Sequence, residues 1–225
     1  MIYKLGIYKL GVLALVLGLF SSCSTTRLVK PLEKKQWAAG FDFGGPLIDF
    51  AGAKIPIPFT SFTGAYGIDT GFTAFGSLHT TALAAGVFQL ELGVVKDILP
   101  KREGRKFNIS VAGITHFMAR QEFRFYPEID INAYWQYSQK RKNFAYFSVA
   151  NWFDFTRFGA HGVRNQELYI PNFGVGHTFV TKKMRYSLEA RWLAPFSSNQ
   201  NIVVGFNGIG QQGAVGIYFS MYRSF

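Results

Sequence analysis

Six side chains of this sequence carry groups that activate water or hold a divalent cation: Asp42, His79, His116, Glu128, Asp130 and Asp154. A carboxylate or imidazole within reach of a substrate proton acts as a general base, and convergent carboxylates bind hard cations. No zinc-like spacing of Cys and His occurs, and Cys23 is the only cysteine. If Cys23 is consumed by modification, the mature chain has no thiolate ligand, disulfide or cysteine nucleophile. The sequences Gly208-Ile209-Gly210 and Gly174-Val175-Gly176 lack the strand-to-helix setting of a phosphate loop and read as kinks and turns. The six acid and imidazole groups therefore matter only if the backbone brings them together.

Period two dominates that backbone. From Pro127 to Ser138, Ile129, Ile131, Ala133, Trp135 and Tyr137 share one face, with Glu128, Asp130, Asn132, Tyr134 and Gln136 on the other. The stretch Arg185–Ala194 repeats the pattern, and the C-terminus alternates Val215, Ile217, Phe219 and Met221 with Gly216, Tyr218, Ser220 and Tyr222. Weaker alternation marks strands near 36–44, 60–68, 71–80, 84–95, 106–117, 143–155 and 168–181, giving about ten strands, with eight or twelve within reading error. Aromatic residues make up 17% of the chain, yet mean hydropathy is only +0.10. A helical membrane protein would score far higher, whereas a transmembrane β-barrel needs only its lipid-facing side chains to be apolar. The expected fold is all-β, an antiparallel transmembrane barrel over 36–225. A soluble sandwich would also alternate, but it would not need aromatic residues such as Trp37, Phe41, Phe43, Phe147, Phe153 and Trp192 facing outward.

The two ends set the compartment. Lys4 and Lys9 precede an apolar run from Leu10 to Phe20, well short of the ~20 residues that span a bilayer as a helix. Phe20-Ser21-Ser22-Cys23 resembles the lipobox of bacterial lipoproteins, in the looser form found in Bacteroidota-like sequences, with Phe20 replacing the usual Leu. The resemblance implies a signal peptide over 1–22, palmitate-type acylation of Cys23 as the first mature residue, and a lipidated basic tether over 23–35. It implies no cofactor other than that covalent lipid. No acidic residue stands beside Cys23 in Ser24-Thr25-Thr26-Arg27, so neither inner-membrane retention nor surface display is signalled. The aromatic final strand ending in Phe225 resembles the C-terminal signature read by the barrel-assembly machinery. Outer-membrane localisation follows, with the lipid in the periplasmic leaflet and both termini on that side.

On that topology the short connections Asp69-Thr70, Gln139–Asn143 and Lys182-Lys183 are periplasmic, and Gly45–Phe59, Thr156–Glu167 and Ser197–Gln212 are long surface loops. Lys96–Arg105 is a longer periplasmic exception. The formal charge of +11 would allow nucleic-acid binding, but position argues against it. Arg27, Lys30, Lys34 and Lys35 fall in the tether. Lys96, Lys101, Arg102, Arg105, Lys106, Lys140, Arg141, Lys142, Lys182, Lys183, Arg185 and Arg223 fall at periplasmic ends. A one-sided cationic rim fits phospholipid headgroups or an acidic periplasmic partner. The loop Gly45–Phe59 is too apolar for an idle surface loop and is expected to fold inward as a cap or to bury against a partner protein.

Polar faces turned inward put Glu91, Arg185, Glu189 and Arg191 in a lumen network with Asp42, Glu128, Asp130, Gln89, Asn108 and Asn132. Small barrels have interiors that side chains fill, and a charge there must find a partner, so an internal plug is expected. Asp42, His79, His116, Glu128, Asp130 and Asp154 would point inward near the extracellular rim, an arrangement that resembles the omptin proteases. Outer-membrane phospholipase and lipid A deacylase instead use a His-x-Ser pair on one strand face. None of His79-Thr80-Thr81, His116-Phe117-Met118, His161-Gly162-Val163 or His177-Thr178-Phe179 matches. His177 reads as part of an interfacial belt. No metal site is expected. The function expected is a non-enzymatic structural or accessory component of an envelope complex, the alternatives being a narrow conduit for small or lipophilic solutes and a surface hydrolase.

Overall fold

The computed structural model describes residues 28–50, 52–99, 106–120, 122–137, 142–156, 165, 167–199 and 205–225. Cys23, the signal segment and His161 lie outside them. Strands run as β1 (Trp37–Phe50), β2 (Ala53–Pro56), β3 (Phe59–Asp69), β4 (Phe72–His79), β5 (Phe88–Asp97) and β6 (Phe107–Ala119). They continue as β7 (Phe123–Gln136), β8 (Phe144–Phe153), β9 (Tyr169–Val180), β10 (Met184–Ser198) and β11 (Gln212–Ser224). One short helix, α1 (Thr80–Ala84), stands between β4 and β5, where the alternation at 84–95 suggests an earlier strand start.

Each strand from β3 to β11 pairs antiparallel with its neighbour, and β1 pairs with both β3 and β11. The seam runs from Ala38 opposite Ser224 to Pro46 opposite Gly216. Ten strands thus close into a barrel, with β2 attached only to the end of β1. Closure pairs the backbone groups that an open edge would leave facing lipid. Both described chain ends lie at one rim, here the near rim, where the Phe225 amide donates to the Trp37 carbonyl at 2.9 Å.

Polarity is inverted relative to a soluble protein. Trp37, Phe62, Leu92, Ile129, Ile131, Trp135, Phe147, Val175, Leu188 and Ile217 are exposed on the outer face, while Asp42, Glu91, His116, Glu128, Asp130, Glu189 and Arg191 are buried inside. An apolar band of this extent is stable against hydrocarbon and not against water. That excludes the sandwich. Near the rim, the Tyr137 hydroxyl and His177 Nε2 lie 2.6 Å apart on the outside, and Trp37 packs on Tyr66 at 4.5 Å, as interfacial aromatics do. No described helix is long and apolar enough to cross a membrane.

Two segments differ from the sequence reading. The apolar Gly45–Phe59 stretch is not an irregular loop, and it buries Pro46 and Ile57. Instead β1 continues to Phe50 and pairs with β2 from Leu47 opposite Pro56 to Phe50 opposite Ala53. The backbone needs no turn at Gly45-Pro46, so the strand rises past the barrel as a hairpin, with Phe50 exposed and Ile57 buried.

The basic segment from Leu28 onward is not a free tether either. Leu28, Val29 and Leu32 are buried in the near mouth, Leu28 and Leu32 with Phe75, Val95 and Ile114, and Val29 with Tyr134, Phe144 and Tyr146. The Leu32 amide donates to Thr73 Oγ1 at 2.8 Å, and the Lys35 amide to the Gly67 carbonyl at 2.7 Å. A Cβ on Gly67 would run into the Glu33 carbonyl, so that close approach requires glycine. Three apolar side chains outweigh the solubility of the surrounding lysines because each gains burial worth about 1.5–3 kcal/mol. We expect Leu32→Asp to release the segment, so that trypsin cuts at Lys34 and Lys35 in the folded variant but not in the folded wild type, read by mass spectrometry of the digest.

Candidate functional site

Inward side chains follow from strand register. Glu91 on β5 lies opposite His116 on β6, and alternation puts both inside. His79 Nε2 donates to Glu91 Oε1 at 2.6 Å, His116 Nδ1 is 3.1 Å from the same oxygen, and His116 Nε2 donates to Glu128 Oε2 at 2.6 Å. The Trp152 indole lies 4.2 Å from the His116 ring at a tilt of 34°, and the Tyr126 ring stacks on Trp152 at 5.5 Å. The chain His79–Glu91–His116–Glu128 therefore ties the neighbouring strands β4, β5, β6 and β7 together on the inner side of the wall.

A second cluster sits at the seam. Asp42 accepts hydrogen bonds from Thr63 Oγ1 (2.8 Å), Ser61 Oγ (3.2 Å) and the Tyr222 hydroxyl (2.8 Å), tying β1 to β3 and β11. Gly40 supplies the room for the Tyr222 ring. In a third cluster, Arg191 holds Glu189 through Nε at 2.9 Å and a terminal nitrogen at 3.0 Å. Tyr146 and Ser148 donate to the same carboxylate at 3.2 Å each, and the Arg191 guanidinium lies 4.2 Å from the Tyr218 ring centre. Gly176 leaves space for the Tyr146 ring, which gives a packing reason for a glycine that reads from sequence only as a kink.

The structure distributes the candidate residues accordingly. His79, His116 and Glu128 are brought together, Asp42 belongs to the seam, and Asp130 is buried on β7. Asp154 stands apart beyond β8, its Oδ1 accepting from the Thr156 amide (2.9 Å) and hydroxyl (2.6 Å). Of the residues grouped in the lumen network, Glu91 joins the histidines, Glu189 and Arg191 pair with each other, and Arg185 sits at the near mouth, donating to the Lys30 carbonyl at 3.3 Å. His79, His116 and Glu128 are at most 3% exposed, so they line no open mouth in which a substrate could meet them. Glu91 between two imidazoles can relay a proton locally, and it fastens four strands. Among the described residues no group of three or more His, Cys, Asp or Glu is placed to hold a metal ion.

Sequence reasoning missed Leu28, Val29 and Leu32, although their apolar character inside a basic stretch was a usable signal. It also missed the seam partners Ser61, Thr63 and Tyr222. Their types are ordinary, and only register identifies them.

Fold and interior define a closed, antiparallel transmembrane β-barrel. No family model matches the chain, and no curated protein does. Similar solved structures are bacterial outer-membrane barrels. An outer-membrane channel from Pseudomonas putida F1 aligns with 90% of this chain and 100% of its own, at 9% identity and TM-score 0.48. The NanC porin aligns with 84% and 98%, at 8% identity and TM-score 0.44. The outer membrane protein OprG from Pseudomonas aeruginosa aligns with 88% and 99%, at 10% identity and TM-score 0.35.

Removing a shared partner from a buried ionic chain leaves other groups uncompensated, at about 3–5 kcal/mol. We expect Glu91→Ala to lower barrel stability by about that amount, and Asp154→Ala by less than about 1 kcal/mol, measured as urea midpoints of the folded, fast-migrating form on unheated gels.

Proposed function

We propose that this chain is a non-enzymatic outer-membrane barrel lipoprotein that serves as a structural or accessory component of an envelope complex, working through its rims and not through its lumen. The observation that carries the reading is the occupied interior: three hydrogen-bonded clusters of buried side chains pack into it from the wall, and Leu28, Val29 and Leu32 are buried inside the near mouth. A conduit needs a continuous aqueous path, and a hydrolase needs its acid and imidazole groups exposed to substrate. Acylation of Cys23 fits the same picture. Four residues separate Cys23 from Leu28, and the five steps between them reach at most about 18 Å, which keeps the lipid beside the near rim and directs that rim to the periplasm.

The test is planar-bilayer recording of the purified barrel, paired with palmitate labelling of cells. The expected result is no stepwise conductance, with label incorporated by the wild type and lost in Cys23→Ser. A steady conductance in the wild type would overturn the closed-barrel reading, and undiminished label in Cys23→Ser would overturn the anchor.

A further inference from the structure

The near mouth is not filled to its rim. Above the Leu28–Leu32 segment lies a vestibule of about 1050 Å³, reached from the near end and bounded by Lys30–Glu33, the ends of β5 to β10 and the turn at Lys182-Lys183. Its charge is lopsided: Lys30, Lys106, Lys142, Lys182, Lys183 and Arg185 line it, against Glu33 and Asp97. Both acids are already engaged. Glu33 takes Lys142 Nζ at 3.0 Å, and Asp97 accepts the Tyr134 hydroxyl at 2.9 Å.

Arg185 is the distinctive group. It points inward from β10, and its hydrogen bond at 3.3 Å goes to a backbone carbonyl, with no ion pair among the described residues. The Glu33 carboxylate acts on its charge from a distance, but a guanidinium offers five donors in a planar fork matched to a carboxylate, and one bond to a carbonyl leaves most of that hydrogen-bonding capacity unspent. Lys106, Lys182 and Lys183 stand exposed around the opening and likewise form no ion pair among the described residues. The inner wall adds the apolar surfaces of Pro31, Leu32, Tyr134 and Phe144.

We propose that this vestibule is the docking site for an acidic peptide segment of a partner protein, with one carboxylate in the Arg185 fork and others among the rim lysines. The inference deepens the accessory reading and rests on it for the existence of a partner. Volume argues against a lone phosphate or carboxylate, since about 1050 Å³ exceeds what a small anion fills and matches a drug-sized or short-peptide ligand. Position argues against a lipid headgroup. The lining side chains Asn108, Tyr134, Gln136 and Arg185 face the inside of the strand ring, whereas lipid lies outside it. Charge argues against the chain's own leader, because residues 1–27 contain Lys4, Lys9 and Arg27 and no acidic residue.

The experiment uses the full mature chain in nanodiscs and a fluorescent nonapeptide of alternating Glu and Leu, with a Gln/Leu peptide as control, read by anisotropy. The acidic peptide should bind saturably and the control should not. Arg185→Gln should weaken binding about tenfold or more, and Lys182→Gln only about two- to threefold, as expected for a forked contact against an exposed charge. Arg185→Lys, which keeps the charge without the fork, should fall between, and fast migration on unheated gels checks that each variant is folded. Equal affinity in wild type and folded Arg185→Gln would overturn the site. So would equal binding of the Gln peptide, or displacement of the acidic peptide by millimolar inorganic phosphate or by phosphatidylglycerol vesicles. Absence of binding in a preparation that also lacks conductance refutes the docking site while leaving the closed barrel standing.

Discussion

A strand that crosses hydrocarbon has no water to satisfy its amides and carbonyls, so every one of them must pair within the protein. In this chain the requirement converges on one seam, β1 against β11. Nine residue pairs from Ala38–Ser224 to Pro46–Gly216 join the ends of the sequence. Closure decides which side chains see lipid and which see each other, and the inverted polarity follows from it. The Asp42 cluster sits on that seam, gathering hydroxyls from Ser61 and Thr63 on β3 and from Tyr222 on β11. A fully buried carboxylate is thus held where the barrel would otherwise open.

Closing ten strands creates an interior somewhat wider than one that side chains alone fill in an eight-stranded barrel. The sequence meets that width in two ways. Large aromatic residues, among them Trp152, Tyr126, Tyr146, Tyr218 and Tyr222, project inward, several above glycines on neighbouring strands. The leading segment then folds back so that Leu28, Val29 and Leu32 complete the near half. Where these apolar pieces end, charge begins, and the vestibule is the volume that neither fills. Several deep interior charges are paired, as in Glu91 with its two histidines or Glu189 with Arg191. Arg185, at the mouth, is not.

Much of the wall was legible in the sequence because a half-lipid, half-interior strand must alternate, and Pro127–Ser138, Arg185–Ala194 and the C-terminus do so without interruption. The ten-strand total and the outward placement of Trp135, Phe147 and Phe219 follow from that periodicity. The grouping of interior residues was legible only in part. Alternation says that Glu91 and His116 face inward, but their meeting depends on a register that no local pattern encodes. Glu189 and Arg191 could be paired because they are two apart on one strand. Arg185 follows the same spacing and was grouped with them, yet it lies at another depth. The Leu28–Leu32 insertion and the β1–β2 hairpin were opaque for a related reason. A lysine-rich stretch and a Gly-Pro step resemble a tether and a loop until the cavity and the paired strand that receive them exist.

The wall turns its outward residues to lipid and its inward residues to a packed interior. Single cysteines test it most directly on a Cys23→Ser background. Ser110→Cys, Ser148→Cys and Ser220→Cys are near-isosteric inward probes, and Ala133→Cys, Ala145→Cys and Ala190→Cys are outward ones. In proteoliposomes the outward thiols should react with a lipid-soluble maleimide, and the inward thiols should resist both that reagent and a small membrane-impermeant thiosulfonate. Rapid modification of the inward thiols by the water-soluble reagent would reveal an open aqueous lumen and contradict the account.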